Sequence, residues 1–145
     1  MQTFLPLPDF EASARVLDQK RLGNQRNEAR GILKTLLFGG GWRNHPAVRM
    51  WEGHIAALTE YGNAIIREWV RQGHNNAMPI LPVQCFQLPP WFGDEAFHAS
   101  HRSNLLRKLP EHYGQFGWKE GPDLPYVWPA PRGHGQRNAT ALALP

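Results

Sequence analysis

The interval from Pro46 to Gly73 constrains this chain most. Ala47, Trp51, Ile55, Leu58, Ile65 and Trp69 recur there at helical spacing, giving one apolar face over most of the interval. Pro46 suits a first helical turn behind Asn44 or His45 as the cap, and Gly73 suits the position just past the end. The pattern predicts one long helix, the spine of the molecule.

Other helices are predicted around it. Asp9, after Pro6-Leu7-Pro8, is a good N-cap for a short helix through Phe10, Ala14 and Leu17. A second helix starts near Asp18 and runs to about Leu37, where Gly39-Gly40-Gly41 stops it. Leu22, Ala29, Leu33 and Leu36 share its buried face, with Arg21, Gln25 and Glu28 in a polar stripe beside it. Arg26 projects from within the apolar arc, where a guanidinium needs a partner or a route to solvent. Asp94 caps a further helix from Glu95 to about Lys108, ended by Pro110, with a short turn of helix around Glu111 to Tyr113.

The stretch from His74 to Pro90 is rich in Pro and Asn and is expected to be an ordered irregular connection packed by Ile80, Leu81, Phe86 and Leu88. Beyond Tyr113 the chain is expected to be irregular, with Tyr126 and Trp128 as packing residues, and to fray from Gly133. The fold class is therefore all-α: one compact domain over residues 1–132, three to four helices with long Pro-rich connections, and a tail over 133–145.

Composition narrows the function classes. At 145 residues the chain fits one domain, and no apolar stretch approaches the roughly 18 to 20 residues of a bilayer span. The N-terminus lacks the basic and apolar regions of a secretion signal, and the single Cys85 cannot form an internal disulfide, so a cytoplasmic location is expected. Sixteen basic residues against twelve acidic ones leave a net charge of +4. Twelve of the sixteen are Arg, the residue that grips phosphate and stacks on rings, which makes nucleic acid a plausible partner.

No Gly-rich phosphate loop or dinucleotide fingerprint occurs, and one cysteine excludes a thiolate-rich zinc site. His98 and His101 stand three apart on a helix, yet no carboxylate or third His has obvious spacing with them, so they are taken as polar face residues. No metal or cofactor is expected.

Three clusters are dense in function-capable groups. The helix from Asp18 to Arg30 sets Arg21, Gln25 and Arg26 around one acid, Glu28, which lies two turns beyond Arg21 on the same stripe. That arrangement resembles a site for an anionic substrate, the alternative being a solvated face with salt bridges. Arg43-Asn44-His45 immediately precedes a helix, whose free N–H groups attract anions, although a capping turn explains the same residues. In the third cluster, His101, Arg102 and Asn104 belong to a run from His98 to Lys108 that is nearly all donors, and phosphate contact competes with plain solvation.

In this order the clusters resemble the pyrimidine-dimer DNA glycosylase (phage endonuclease V-like) family, over roughly residues 1 to 113. The resemblance rests on Asp18, Lys20, Glu28 and Ala29 in the first helix motif, on Arg43 to Pro46, and on the His-x-x-His-Arg-Ser-Asn run from His98 to Asn104. It implies a compact all-α enzyme that cuts the glycosidic bond of a damaged base in double-stranded DNA and then nicks the abasic strand. It also implies an N-terminal α-amine as nucleophile, here that of Met1, retained because Gln2 is large, with Glu28 as the assisting glutamate. The implied enzyme acts as a monomer.

The chemistry is physically sound. An α-amine with a reference pKa of about 7.7 to 8.0 has a neutral fraction able to attack C1′, which a Lys near 10.4 lacks. Glu28 would stabilise the cationic sugar and then move protons. Arg21, Gln25, Arg26, Arg43, Asn44, His45, His101, Arg102 and Asn104 are the candidate DNA contacts, since a stacked base hides its sugar until extruded. Two rivals stay open: a non-catalytic DNA-binding domain of the same fold, and a helical protein-interaction module.

Overall fold

A computed structural model of the chain describes residues 1–129. Its helices are α1 (Phe10–Val16), α2 (Gln19–Phe38), α3 (Pro46–Arg49), α4 (Ile55–Arg71), α5 (Glu95–Lys108) and α6 (Pro110–Tyr113), followed by a 3-10 turn at Gly114–Phe116. No strand occurs among the described residues, so the all-α reading holds. The tail expected from Gly133 lies outside the described residues.

The caps explain where α1 and α2 begin. Asp9 accepts the Ala12 N–H at 2.8 Å, and Asp18 accepts the Arg21 N–H at 3.3 Å. Asp94 occupies the N-cap position of α5 but makes no capping bond. Pro110, expected only as a stop, also opens α6, where its missing N–H costs nothing.

The expected long spine is two helices. Met50 to His54 turn between α3 and α4, and Gly53 there adopts φ 83°, which a side chain would strain. His45, not Asn44, caps α3, its Nδ1 accepting the Ala47 N–H at 3.0 Å. The break turns Trp51 fully inward, where its Nε1 donates to Thr3 Oγ1 at 3.1 Å. Ile55, assigned to the same apolar face by spacing, stays 38% exposed. Spacing alone fits a continuous helix, and what overrides it is the burial of one large ring against the N-terminal segment.

α2 packs on α4, and α1 on α4. Gly23 permits the first contact: a Cβ there would meet the Trp69 ring at 3.0 Å. Leu22, Ala29, Ile32 and Leu33 of α2 meet Leu58, Tyr61 and Ile65 of α4 in one core, while Leu36 is only partly buried. Each of the larger aliphatic side chains so buried contributes about 1.5 to 3 kcal/mol.

The connection from His74 to Pro90 is ordered only partly as expected. Ile80, Phe86 and Leu88 are exposed, whereas Leu81 packs against the core and Phe86 stacks on Phe10 at 6.1 Å, and polar ties add to these contacts. Asn63 brackets Leu81, donating to its carbonyl at 2.7 Å and accepting its N–H at 2.9 Å, and Arg30 donates to the Pro79 carbonyl at 2.7 Å. A chain without a ladder of its own must find partners for its backbone, and side chains of α2 and α4 supply them. No helix among the described residues is long and apolar enough to cross a membrane.

Candidate active site

Residues 2–5 run without regular secondary structure and a bend over residues 6–9 leads into α1, with Thr3, Phe4 and Leu5 buried. The backbone of this segment is satisfied by side chains. Gln25 donates to the Gln2 carbonyl at 2.8 Å and accepts the Phe4 N–H at 3.1 Å, and the Tyr61 hydroxyl lies 2.9 Å from the Phe4 carbonyl. Ser13 of α1 closes the far end, bonding both the N–H and the carbonyl of Leu7. Burial pushes the Tyr61 phenol far above its ordinary range, so the hydroxyl stays neutral and remains a donor.

That segment delivers the amine of Met1 to Glu28. The α-amine nitrogen stands 4.0 Å from Glu28 Oε1, and the same oxygen accepts the Gln2 N–H at 3.0 Å. The two groups border a cavity of about 220 Å³, closed by Phe4, Gln25 and Asn24 and rimmed by Lys20, Arg21 and Lys108. Glu28 is the single acid lining it, among three cations.

Arg21 reaches this rim with its guanidinium tied to Asp18 at 3.2 Å. Burial opposes the charge of Asp18. The Tyr113 hydroxyl, the Arg21 N–H and the Arg21 guanidinium outweigh that opposition and hold the carboxyl below its usual range. Lys20 and Lys108 have no ion-pair or hydrogen-bond partner among the described residues. Both lysines stood in the sequence clusters, Lys20 in the first helix motif and Lys108 at the end of the His98–Lys108 run, but neither they nor Asn24 were among the expected DNA contacts. Asn24 and Lys20 lie within the α2 motif itself, but Lys108 comes from the last turn of α5, and no local pattern links it to Glu28.

The other expected contacts are distributed more widely. Gln25 is buried and spent on the N-terminal segment, so it positions the amine and does not reach outward. Arg26 does not line the cavity: its guanidinium lies 4.5 Å over the Trp69 ring and donates to Asn76 Oδ1 at 2.7 Å. This resolves its place in the apolar arc, through cation–π packing, and removes it from the cavity. Arg43 and Asn44 are exposed and line a second cavity of about 310 Å³ with Thr35, Leu36, Arg49 and Glu52. His45, besides capping α3, stands between the Trp42 and Trp128 rings at 5.5 and 6.3 Å.

The third cluster is corrected outright. His101, Arg102 and Asn104 are buried, at 0%, 7% and 1% exposure, and a phosphate cannot reach them. Arg102 binds Glu120, Glu95 and the Pro6 carbonyl. Asn104 donates to the Ser100 and Leu124 carbonyls, Ser103 bonds Gly121 and Leu124, and Ser100 accepts the Val127 N–H. The polar side chains of α5 from His98 to Asn104 are thus buried away from solvent. They are sandwiched between two irregular segments, residues 4–6 and 120–127, whose backbones they satisfy.

A family model described as pyrimidine dimer DNA glycosylase matches residues 1–81, which include Met1, Glu28 and the Arg43–Pro46 stretch and stop short of α5. No curated protein and no solved structure gives a significant match to the chain.

Proposed function

The chain belongs to the pyrimidine dimer DNA glycosylase family, and on that premise we propose that it removes a damaged base from double-stranded DNA and then cleaves the strand, with Met1 as nucleophile and Glu28 as acid and base. The observation that supports this reading is the 4.0 Å spacing between the Met1 amine and Glu28 inside a cation-rimmed cavity.

The neutral amine attacks C1′ of the extruded nucleotide, and the glycosidic C–N bond breaks with its electron pair leaving on the base. Glu28 stabilises the positive charge that develops on the sugar. Loss of the amine proton and opening of the sugar give an iminium joining the amine nitrogen to C1′. That iminium acidifies the C2′ proton, which Glu28 takes, and the 3′ C–O bond breaks with its electrons departing on the phosphate. Water then hydrolyses the iminium and frees the amine.

Lys20, Arg21 and Lys108 hold the phosphates that flank the extruded sugar. Arg43 and Asn44 contact the duplex further along. Thr35, which lines their cavity, follows Glu28 by seven residues on one face of α2, a displacement of about 10 Å along the axis. All these groups come from one chain, and the enzyme works as a monomer.

Borohydride reduces an iminium to a stable amine, so it links the protein covalently to abasic and ultraviolet-irradiated duplexes. An uncleaved N-terminal extension should abolish that adduct while DNA binding persists. The absence of any adduct from the unextended chain on both substrates would sink the proposal and leave a DNA-binding domain without chemistry.

A further inference from the structure

The N-terminal segment is gripped at Leu5 by two histidines that neither the reaction nor the DNA contacts use. His98 and His101 lie three residues apart on one face of α5, and both are fully buried. His98 Nδ1 is 2.8 Å from the Leu5 carbonyl, and His101 Nδ1 is 3.0 Å from the Leu5 nitrogen. One residue of the N-terminal segment is thereby held at its C=O and its N–H.

The partners fix the tautomers. His98 Nε2 accepts the Gly93 N–H at 2.9 Å, so its ring proton sits on Nδ1 and is donated to Leu5. His101 Nδ1 accepts from Leu5, so its proton sits on Nε2, which is buried with no hydrogen-bond partner among the described residues. Opposite tautomers three residues apart form a matched donor and acceptor, and neither ring can take a second proton without losing its bond.

A purely apolar core would not be built this way. Around His101 the rings of Phe97, Tyr126 and Phe4 stand at 4.5, 5.4 and 6.3 Å, a setting that Leu or Phe would fill without stranding a buried N–H. Burial drives the His101 pKa down to about 3 and lowers that of His98 as well. Arg102, Glu95 and Asp94 are the charged groups that bear on His98, and His98 is the one that bears on His101. Two desolvated imidazoles and an unsatisfied donor are kept at the point where the chain turns toward the cavity.

We infer that His98 and His101 are positioning residues for the N-terminal amine, locking Leu5 so that the four residues before it reach Glu28 at one fixed distance. The inference rests on the assignment of Met1 as the nucleophile. Among the described residues, the further side-chain ties between Leu5 and the amine are those of Gln25, Tyr61, Trp51 and Glu28 itself, so rotation or slip at Leu5 is transmitted to the reacting nitrogen. A misplacement of about 1 Å is enough to lower a rate on the order of 100-fold.

The test separates binding from chemistry. His98→Leu and His101→Leu remove the donor and the acceptor, whereas His98→Asn and His101→Asn place an amide group where each Nδ1 stands. Duplex affinity and the single-turnover rate of borohydride trapping at saturating abasic DNA are measured for each. The Leu variants are expected to bind within about twofold of wild type and to trap at least about tenfold more slowly, with the Asn variants recovering most of the rate. Equal trapping by Leu and wild-type proteins overturns the inference, as does equal loss in Leu and Asn variants that still bind DNA.

Nitrogen-15 NMR of the histidine rings in the wild-type protein is independent of whether the variants fold. Neutral rings at pH 6, with the proton on Nδ1 of His98 and on Nε2 of His101, support the clamp, and a charged ring or exchanged tautomers overturn it. Failure of the wild-type chain to trap abasic DNA removes the nucleophile assignment and the inference together, while trapping that ignores both histidines removes only the inference.

Discussion

Glu28 and the N-terminus meet twice: Oε1 lies 4.0 Å from the Met1 amine and accepts the Gln2 N–H at 3.0 Å. One carboxylate therefore anchors the backbone and stands beside the nitrogen proposed as the nucleophile. Glu28→Gln keeps an acceptor for the Gln2 N–H but removes the charge and the base. Strand cleavage and base release are expected to fall by about 10² to 10⁴, the usual worth of a positioned acid or base, with duplex affinity within about threefold of wild type. Unchanged turnover by gel assay would take Glu28 out of the mechanism.

The side chains of Lys20, Lys108 and Arg43 have no hydrogen-bond or ion-pair partner among the described residues, and each lines a cavity. If they meet phosphates, each releases a counterion on binding. Single Ala substitutions should reduce the slope of log affinity against log salt by about 0.9 apiece. Arg26→Ala should leave that slope untouched, because its guanidinium is engaged by Trp69 and Asn76. Titrations at several salt concentrations distinguish the two classes, and an Arg26 slope change matching that of Lys20 would contradict the placement.

What the sequence made legible was local. Asp9 and Asp18 announce helix starts because a cap bonds groups within three residues, and the stripe of Arg21, Gln25 and Glu28 follows from periodicity alone. The break at Gly53 was illegible, since Trp51 fits a helical face equally well and only contacts distant in sequence, with Thr3 48 residues away and with the Trp91 and Phe10 rings, decide otherwise. The α5 polar groups were visible, but their partners were not. Those are backbone carbonyls and N–H groups near both ends of the described chain, and nothing in a run of His, Arg, Ser and Asn says whether it will satisfy a phosphate or a peptide.

Arg102 checks that correction directly. Its guanidinium ties Glu120, Glu95 and the Pro6 carbonyl together with little exposure. Arg102→Ala leaves Glu120 half enclosed without its partner, and breaking a buried pair in this way costs about 3 to 5 kcal/mol. Urea denaturation should show that loss, while the salt dependence of DNA binding by the folded fraction stays at the wild-type slope. Stability near wild type with a reduced slope would restore Arg102 to the phosphate contacts.

The histidine pair also sets a pH dependence of stability. Both folded pKa values are depressed, so the folded state binds fewer protons than the unfolded one, and the contribution is fully present above the ordinary histidine pKa of about 6.5. It is lost as pH falls toward the folded value, which for His101 is about 3. Asp18, Glu68 and Glu120 are also held low, but their contributions fade only as pH drops below the ordinary carboxylate range. Loss of stability between pH 7 and pH 5 therefore belongs to the histidines. For His101 alone it amounts to roughly 2 kcal/mol at pH 5, since each pH unit below 6.5 is worth about 1.4 kcal/mol for a group that charges only on unfolding. Urea midpoints at pH 7 and pH 5 should separate accordingly in the wild-type protein and separate less in His101→Asn, where His98 alone remains, and an equal separation in that variant would show that His101 carries none of it.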